Sequence, residues 1–99
     1  MPAPLLTVIV PSYNSQDYLD RAMTSLVGYG DEVEVIIVDD GSKDATGGIA
    51  DDWASRYDSV RVIHQENKGH GGAVNTGVAA ATGTWIKVVD SDDALDPVA

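Results

Sequence analysis

Trp85-Ile86-Lys87-Val88-Val89-Asp90-Ser91-Asp92-Asp93 is the stretch on which the reading of this chain turns. Ile86, Val88 and Val89 make a short β-branched run, which predicts a strand buried in a sheet. The run ends on three carboxylates, Asp90, Asp92 and Asp93. At ~5 Å separation and an effective dielectric of about 20, each pair of such anions repels by roughly 3 kcal/mol. A hard cation relieves that repulsion, because Mg²⁺, Mn²⁺ and Ca²⁺ prefer oxygen ligands. The expectation is a metal site at a strand end, with the metal holding a phosphate-bearing ligand. A plainer reading is a solvated turn that caps a helix, since Asp favours both positions. A calcium loop of the helix-loop-helix type is excluded, because its sixth position needs glycine and Leu95 stands there.

The same pattern of an apolar run followed by a polar loop recurs upstream. Leu5 to Val10, bounded by Pro4 and Pro11, predicts a buried strand followed by a turn at Ser12, Tyr13 and Asn14. Val33 to Val38 predicts a second, ending in Asp39-Asp40-Gly41-Ser42, and Val60 to Ile63 a shorter third. Between them the apolar spacing turns helical. Leu19, Ala22, Met23 and Leu26 follow Asn14, a predicted cap, with Asp17 near the positive helix end and Gly28 and Gly30 as the stop. Ile49, Trp53 and Tyr57 form the stripe of a second helix, with Asp44 as its predicted cap. After Asn67 a glycine-rich turn (Gly69, Gly71, Gly72) precedes a small-residue helix carrying Ala73, Val74, Gly77, Val78 and Ala81. Gly83 ends that helix, Thr84 opens the fourth strand, and Asp93 or Asp96 starts one more helix.

The predicted order is β-α-β-α-β-α-β in one domain over residues 1–99, with no linker or low-complexity segment. It implies an α/β, Rossmann-like three-layer fold around a mainly parallel four-stranded sheet with helices on both faces. In a parallel sheet all strand C-termini share one edge, where ligands of open α/β sheets bind. The unusual residues fall at those ends: Pro11 to Asn14, Asp39 to Ser42, Asn67 to Gly72 and Asp90 to Asp93.

Composition narrows the classes. With 16 acids against 6 Lys and Arg, the net charge of −10 argues against nonspecific nucleic-acid binding, which needs a positive footprint. Apolar content of 43% indicates a globular chain. No apolar stretch is long enough to span a bilayer, and no signal-peptide pattern opens the chain, so the expected location is cytoplasmic. Cysteine is absent, which removes disulfides and thiol chemistry.

Each candidate residue also has a structural reading. Asp39 and Asp40 could simply end a strand, with Gly41 supplying the turn; the functional reading is a carboxylate accepting hydrogen bonds from a nucleoside. The Gly69 to Gly72 turn could serve close helix packing, or bring backbone N–H groups to a phosphate. It matches neither the dinucleotide fingerprint nor a P-loop. His70 reads as a partly exposed loop residue and His64 as structural. Trp53, Tyr57 and Trp85 read as packing.

Taken together, these residues resemble the family 2 glycosyltransferases, whose catalytic domain has the GT-A fold. The resemblance is carried by Val8-Ile9-Val10-Pro11-Ser12-Tyr13-Asn14, Ile37-Val38-Asp39-Asp40-Gly41-Ser42, Asn67-Lys68-Gly69, Asn75-Thr76-Gly77 and Trp85 through Asp93, in the family's order. It implies sugar transfer from a nucleotide-sugar donor, usually with inversion, using Mg²⁺ or Mn²⁺. It further implies that Pro11, Ser12 and Tyr13 contact the base. Asp40 would bond the base, most often uracil, with Asp39 supporting that loop. Lys68 and Gly69 fall in the matching donor loop. Asp90, with Ser91 beside it, would lie near the ribose and donor sugar, and Asp92 and Asp93 would face metal and diphosphate. A divalent cation is suited to the charge that a diphosphate leaving group develops.

Two departures qualify the likeness. Val74 stands where many relatives carry Arg before the asparagine of the third helix, which loosens the expected nucleotide preference. The run Gly69-His70-Gly71-Gly72-Ala73 leans toward relatives that glycosylate polyprenyl phosphate. The acceptor is therefore read as either a saccharide or a lipid, the latter at the cytoplasmic face of a membrane. The family's catalytic domain continues past the aspartate motif into the acceptor site and general base. The chain is therefore expected to be the donor-binding half, with little transferase activity by itself and an exposed sheet edge that favours self-association. The rival readings are a nucleotidyltransferase, which calls for a glycine-rich basic loop that Ser12-Tyr13-Asn14 does not supply, and a non-catalytic nucleotide- or protein-binding module.

Overall fold

A computed structural model describes residues 4–91. Four strands, β1 (Leu6–Ser12), β2 (Val33–Asp40), β3 (Val60–Gln65) and β4 (Trp85–Val88), alternate with α1 (Leu19–Val27), α2 (Thr46–Arg56) and α3 (Gly69–Ala80). A single 3₁₀ turn (Gly30–Glu32) leads into β2. The sheet order is β3-β2-β1-β4 and every pairing is parallel. This is the predicted α/β architecture.

The period-two alternation of a strand explains the layering. Val8, Val10, Val35 and Ile37 point to one face, where they pack with Leu19, Met23 and Leu26 of α1 and Ala50 and Trp53 of α2. Ile9, Ile36 and Val38 point to the other face and pack with Ala73 of α3. β1 and β2 are thus covered on both sides, which is why they read as continuous apolar runs. Burying each Val or Ile side chain stabilises the fold by about 1.5–3 kcal/mol. Helix α3 can lie close against β1 because position 77 is glycine: a Cβ there would stand 2.4 Å from Cγ2 of Ile9.

Several local expectations are corrected. β2 runs on to Asp40, so its two carboxylates belong to the strand rather than to the turn after it, and β3 runs on to Gln65. Asn14 does not cap α1. It sits at φ 49°, and its Oδ1 accepts the N–H of Lys43, 29 residues away. The glycines read as a turn form the first turn of α3, with only Gly69 at positive φ. Asp44 does bond the start of α2: its Oδ1 accepts the N–H of Thr46 at 2.9 Å.

The largest correction concerns β4. Its residues are all exposed, with Trp85 at 67% and Ile86 at 46%, so the strand is not buried and Trp85 does not pack. The physical reason is position. Among the described residues β4 is an edge strand bonded only to β1, and α1, α2 and α3 lie over β1, β2 and β3. Burial resumes at Val89, whose N–H bonds the carbonyl of Ile9. The predicted helix start at Asp93 or Asp96 lies outside the described residues.

Candidate functional site

The register places the ends of β1, β2 and β3 flush, while β4 pairs with β1 only as far as Ile9–Val88. Ser12 faces Asp39 across β1 and β2, while Asp39 and Asp40 face His64 and Gln65 across β2 and β3. From β1 the chain steps outward through β2 to β3 and then crosses back to β4 on the opposite side of β1. β2 and β4 thus flank β1 on opposite sides, which makes the C-terminal end of β1 a switch point of the kind where open α/β sheets take ligands.

A cleft opens there in two adjoining lobes. The first, of about 230 Å³, is lined by Pro11, Ser12, Tyr13, Asp40, Asn67, Gly69, His70 and Ala73. The second, of about 310 Å³, is lined by Pro11, Tyr13, Asn14, Ser15, Tyr18, His70, Asp90 and Ser91. Pro11, Tyr13 and His70 border both, and so connect the Asp40 side to the Asp90 side. Of the predicted site residues, Pro11, Ser12, Tyr13, Asp40, Gly69, Asp90 and Ser91 come together on this cleft.

Asp39 and Lys68 stand behind it. Asp39 Oδ1 accepts the N–H of Ser42 at 3.1 Å, and its Oδ2 lies 2.8 Å from His64 Nδ1. Lys68 donates its backbone N–H to Asp40 Oδ1 at 2.7 Å, and Gln65 donates its amide to the same oxygen at 2.9 Å. Asp92 and Asp93, the expected metal ligands, lie outside the described residues.

The charge state of Asp40 follows from these bonds. Burial acts to raise its pKa, but the bonds from Gln65 and from the Lys68 and Gly69 N–H groups, with the Lys68 charge, outweigh it and leave the carboxyl below its ordinary value. An anionic acceptor therefore faces the first lobe at neutral pH. The loops are braced by bonds between distant residues. Ser42 Oγ accepts the N–H of Asn14, Thr46 Oγ1 accepts the N–H of Ser15, and Ser91 Oγ donates to Ser15 Oγ.

His70 and Asn67 also line the cleft, although residue type alone marks His70 only as a loop residue. His70 lies in the first turn of α3, and its Nε2 is 2.7 Å from Asp90 Oδ1, so it joins the α3 side to the end of β4. The run Gly69-His70-Gly71-Gly72 marks the location in the sequence, but not the partner. His64, read as structural, lies on β3 outside the cleft lining, with one ring nitrogen on each of two aspartates, Asp39 and Asp51. Among the described residues no group of three His, Cys, Asp or Glu is arranged to hold a metal, and no helix is long and apolar enough to cross a membrane.

Comparison with known proteins bears on this cleft. The chain is 45% identical over 91 residues to the uncharacterized glycosyltransferase EpsJ of Bacillus subtilis, covering 91% of this chain and 26% of that protein. It is 46% identical over 96 residues to the succinoglycan biosynthesis protein ExoO of Rhizobium meliloti, covering 95% of this chain and 27% of that protein. Among solved structures, S. aureus TarS 1-349 in complex with UDP superposes with a TM-score of 0.83 at 33% identity, over 92% of this chain and 28% of that one. The mannosyltransferase PcManGT of Pyrobaculum calidifontis, in complex with GDP-Man and Mn²⁺, also gives 0.83, at 28% identity over 95% of this chain and 29% of that one. The chain thus spans about a quarter of the length of the curated relatives it matches. The family model for Glycosyl transferase family 2 matches residues 7–98, from the second residue of β1 through the aspartate motif, and the chain belongs to that family.

Proposed function

We propose that this chain forms the donor-binding part of a glycosyltransferase and holds a nucleotide-diphosphate sugar, most simply a UDP-sugar, in the two-lobed cleft. The observation that carries the proposal is the convergence of Pro11, Tyr13, Asp40, Asn67 and His70 on the first lobe, continuous through Tyr13 and His70 with Asp90. In this reading Tyr13, about half exposed, lies against the base, and Asp40 accepts its N–H. Asp39 holds the loop, Lys68 fixes Asp40 from behind through its backbone N–H, Gly69 lines the lobe, and Asp90 and Ser91 approach the ribose and sugar. The UDP in TarS and the GDP-Man in PcManGT support a nucleotide-sugar ligand.

A chain of net charge −10 opposes a diphosphate unless a cation intervenes. The donor set suits Mg²⁺ or Mn²⁺: Asp90, Asp92 and Asp93 offer oxygen, and the chain has no thiol. The Mn²⁺ in PcManGT supports the same choice. Such an ion, when bound, stabilises the charge of the leaving diphosphate. The whole protein would then transfer the sugar with inversion to a saccharide or polyprenyl-phosphate acceptor, in the cytoplasm or at the cytoplasmic membrane face.

Calorimetric titration of UDP and of GDP, each with and without Mn²⁺, tests the reading. The expected result is Mn²⁺-dependent binding of UDP that is lost in Asp40→Asn and in Asp92→Asn. Binding that ignores Mn²⁺ and survives both substitutions would refute it.

A further inference from the structure

We propose that His64 is a positioning residue for the donor loop: its ring clasps Asp39 on β2 to Asp51 on α2, and deprotonation opens the clasp. The inference concerns a residue outside the cleft lining and rests on the donor-site reading only for its effect on nucleotide binding.

The geometry gives the ring two carboxylate partners. His64 Nδ1 is 2.8 Å from Asp39 Oδ2, and Nε2 is 2.7 Å from Asp51 Oδ1. A neutral imidazole has one N–H and one lone pair, so it satisfies one carboxylate and repels the other. Only the imidazolium donates to both. Among the described residues the charged groups acting on the ring are these two acids, one on the neighbouring strand and one on the helix packed over it.

Asp39 passes that constraint to the cleft. Its other oxygen accepts the Ser42 N–H, Ser42 Oγ accepts the Asn14 N–H, and Asn14 Oδ1 accepts the Lys43 N–H. One buried carboxylate thus ties the β2–α2 turn to the β1 loop that carries Tyr13. Local packing is cut to fit the pair: a Cβ on Gly47 would stand 2.9 Å from Asp39 Oδ2 and 3.5 Å from His64 Cε1. The Asp39 side chain is 9% exposed, whereas those of His64 and Asp51 are 47% and 63% exposed. A proton can therefore reach the ring from solvent while its effect is felt inside.

The direction of titration agrees. The bond to Asp39, then the bond to Asp51, outweigh desolvation and raise the His64 pKa above its ordinary 6.5. The clasp is whole below pH 6.5 and is lost as pH rises through the raised value.

The test tracks both histidines of the 99-residue chain by NMR from pH 5 to pH 9, with His70→Asn supplying the assignment. The expected result is a His64 midpoint above 6.5, with the Ser42, Asn14 and Lys43 amides shifting at the same midpoint. Asp51→Asn lowers that midpoint, and His64→Gln abolishes the amide shifts. UDP affinity, measured with Mn²⁺, falls about threefold to tenfold across the midpoint. His64→Gln shows the weaker affinity throughout without that step, so the difference between the two proteins cancels titration of the ligand itself. Amides that ignore the His64 midpoint overturn the clasp whatever UDP does. Linked amides with no UDP binding to either protein uphold the clasp and refute the donor-site reading instead.

Discussion

Gly41→Ala probes a place where two cleft loops approach backbone to backbone. Gly41 has φ +74°, and a Cβ there would stand 2.7 Å from the backbone nitrogen of Asn67 and 3.2 Å from its Cα. A left-handed conformation costs an L-residue about 1–2 kcal/mol. Alanine recovers about 0.4–1 kcal/mol of this by narrowing the unfolded ensemble. The conformational part is therefore about 1 kcal/mol net. The contact adds about 1–3 kcal/mol, because a backbone atom cannot rotate out of the way. The expected loss is about 2–4 kcal/mol, large against the roughly 5–15 kcal/mol that holds a domain together. Gly30 supplies the control, since it shares φ +74° but has nothing within 4 Å of its would-be Cβ. Gly30→Ala should lose only the conformational part. Urea denaturation at constant m measures both variants. Equal losses would show that the Gly41–Asn67 approach does not hold the loops, and the site geometry built on it would fall.

Acid should unfold the chain through three carboxyls held below their ordinary values, Glu34, Asp40 and Asp44; in each, burial acts upward and hydrogen bonds outweigh it. Their contribution is whole above the ordinary values of 4.5 and 3.8 and is lost as pH falls through the lowered ones, so the urea midpoint should drop below about pH 4.5. A flat midpoint down to about pH 2.5 would contradict this. Glu34→Ala removes the acceptor for Thr7 Oγ1, Arg61 Nη1 and both the N–H and Oγ1 of Thr82. Thr7 is fully buried, so the variant should lose about 1–3 kcal/mol in denaturant, and Glu34→Gln should keep part of it. Sedimentation velocity should show concentration-dependent self-association through the apolar β4 edge, reduced by Trp85→Lys; a strict monomer at every concentration would argue that the edge does not pair.

How much of the fold is legible in the sequence tracks how local each determinant is. β1 and β2 are readable because helices cover both faces, leaving Val8 to Val10 and Val35 to Val38 apolar without a break. Ile86, Val88 and Val89 are equally β-branched and broken only by Lys87, yet β4 is an exposed edge among the described residues. Composition records a residue's tolerance for burial, not which strands flank it. Asn14 departs from expectation for a similar reason. A local cap with Asp17 is the short-range option, but the amide finds Lys43, which only the packing of two loops brings near. The glycines at 71 and 72 resemble a turn because glycine weakens a helix by about 1 kcal/mol. They nonetheless occupy helix, because Ala73 and Gly77 in the next turn of α3 are buried against the sheet and fix the helix there. The convergence of loops on one edge is legible because topology alone dictates it. The His64 and His70 pairings are not, because each joins residues that are 13 to 25 positions apart.

Those distant pairings explain how so small a chain can hold a shaped cleft. Loops that bind ligand usually lose mobility on binding, and that ordering subtracts from affinity. Here the ordering is already in place. Gln16 N–H bonds Asp44, and Ala45 N–H bonds Gln16, joining the β1 and β2 loops on one side. Asp40 bonds the Lys68 N–H, which joins β2 to the start of α3, and His70 reaches Asp90. Each bond is worth little alone because most are exposed. In series they link the four loops, so a disturbance at any of them should reach the others. The weakest span is His70 to Asp90, whose side chains are 64% and 45% exposed and whose contact crosses the cleft itself. A ligand bridging both lobes would have to share or replace that contact, which makes the β4 side the part of the rim with most freedom to rearrange.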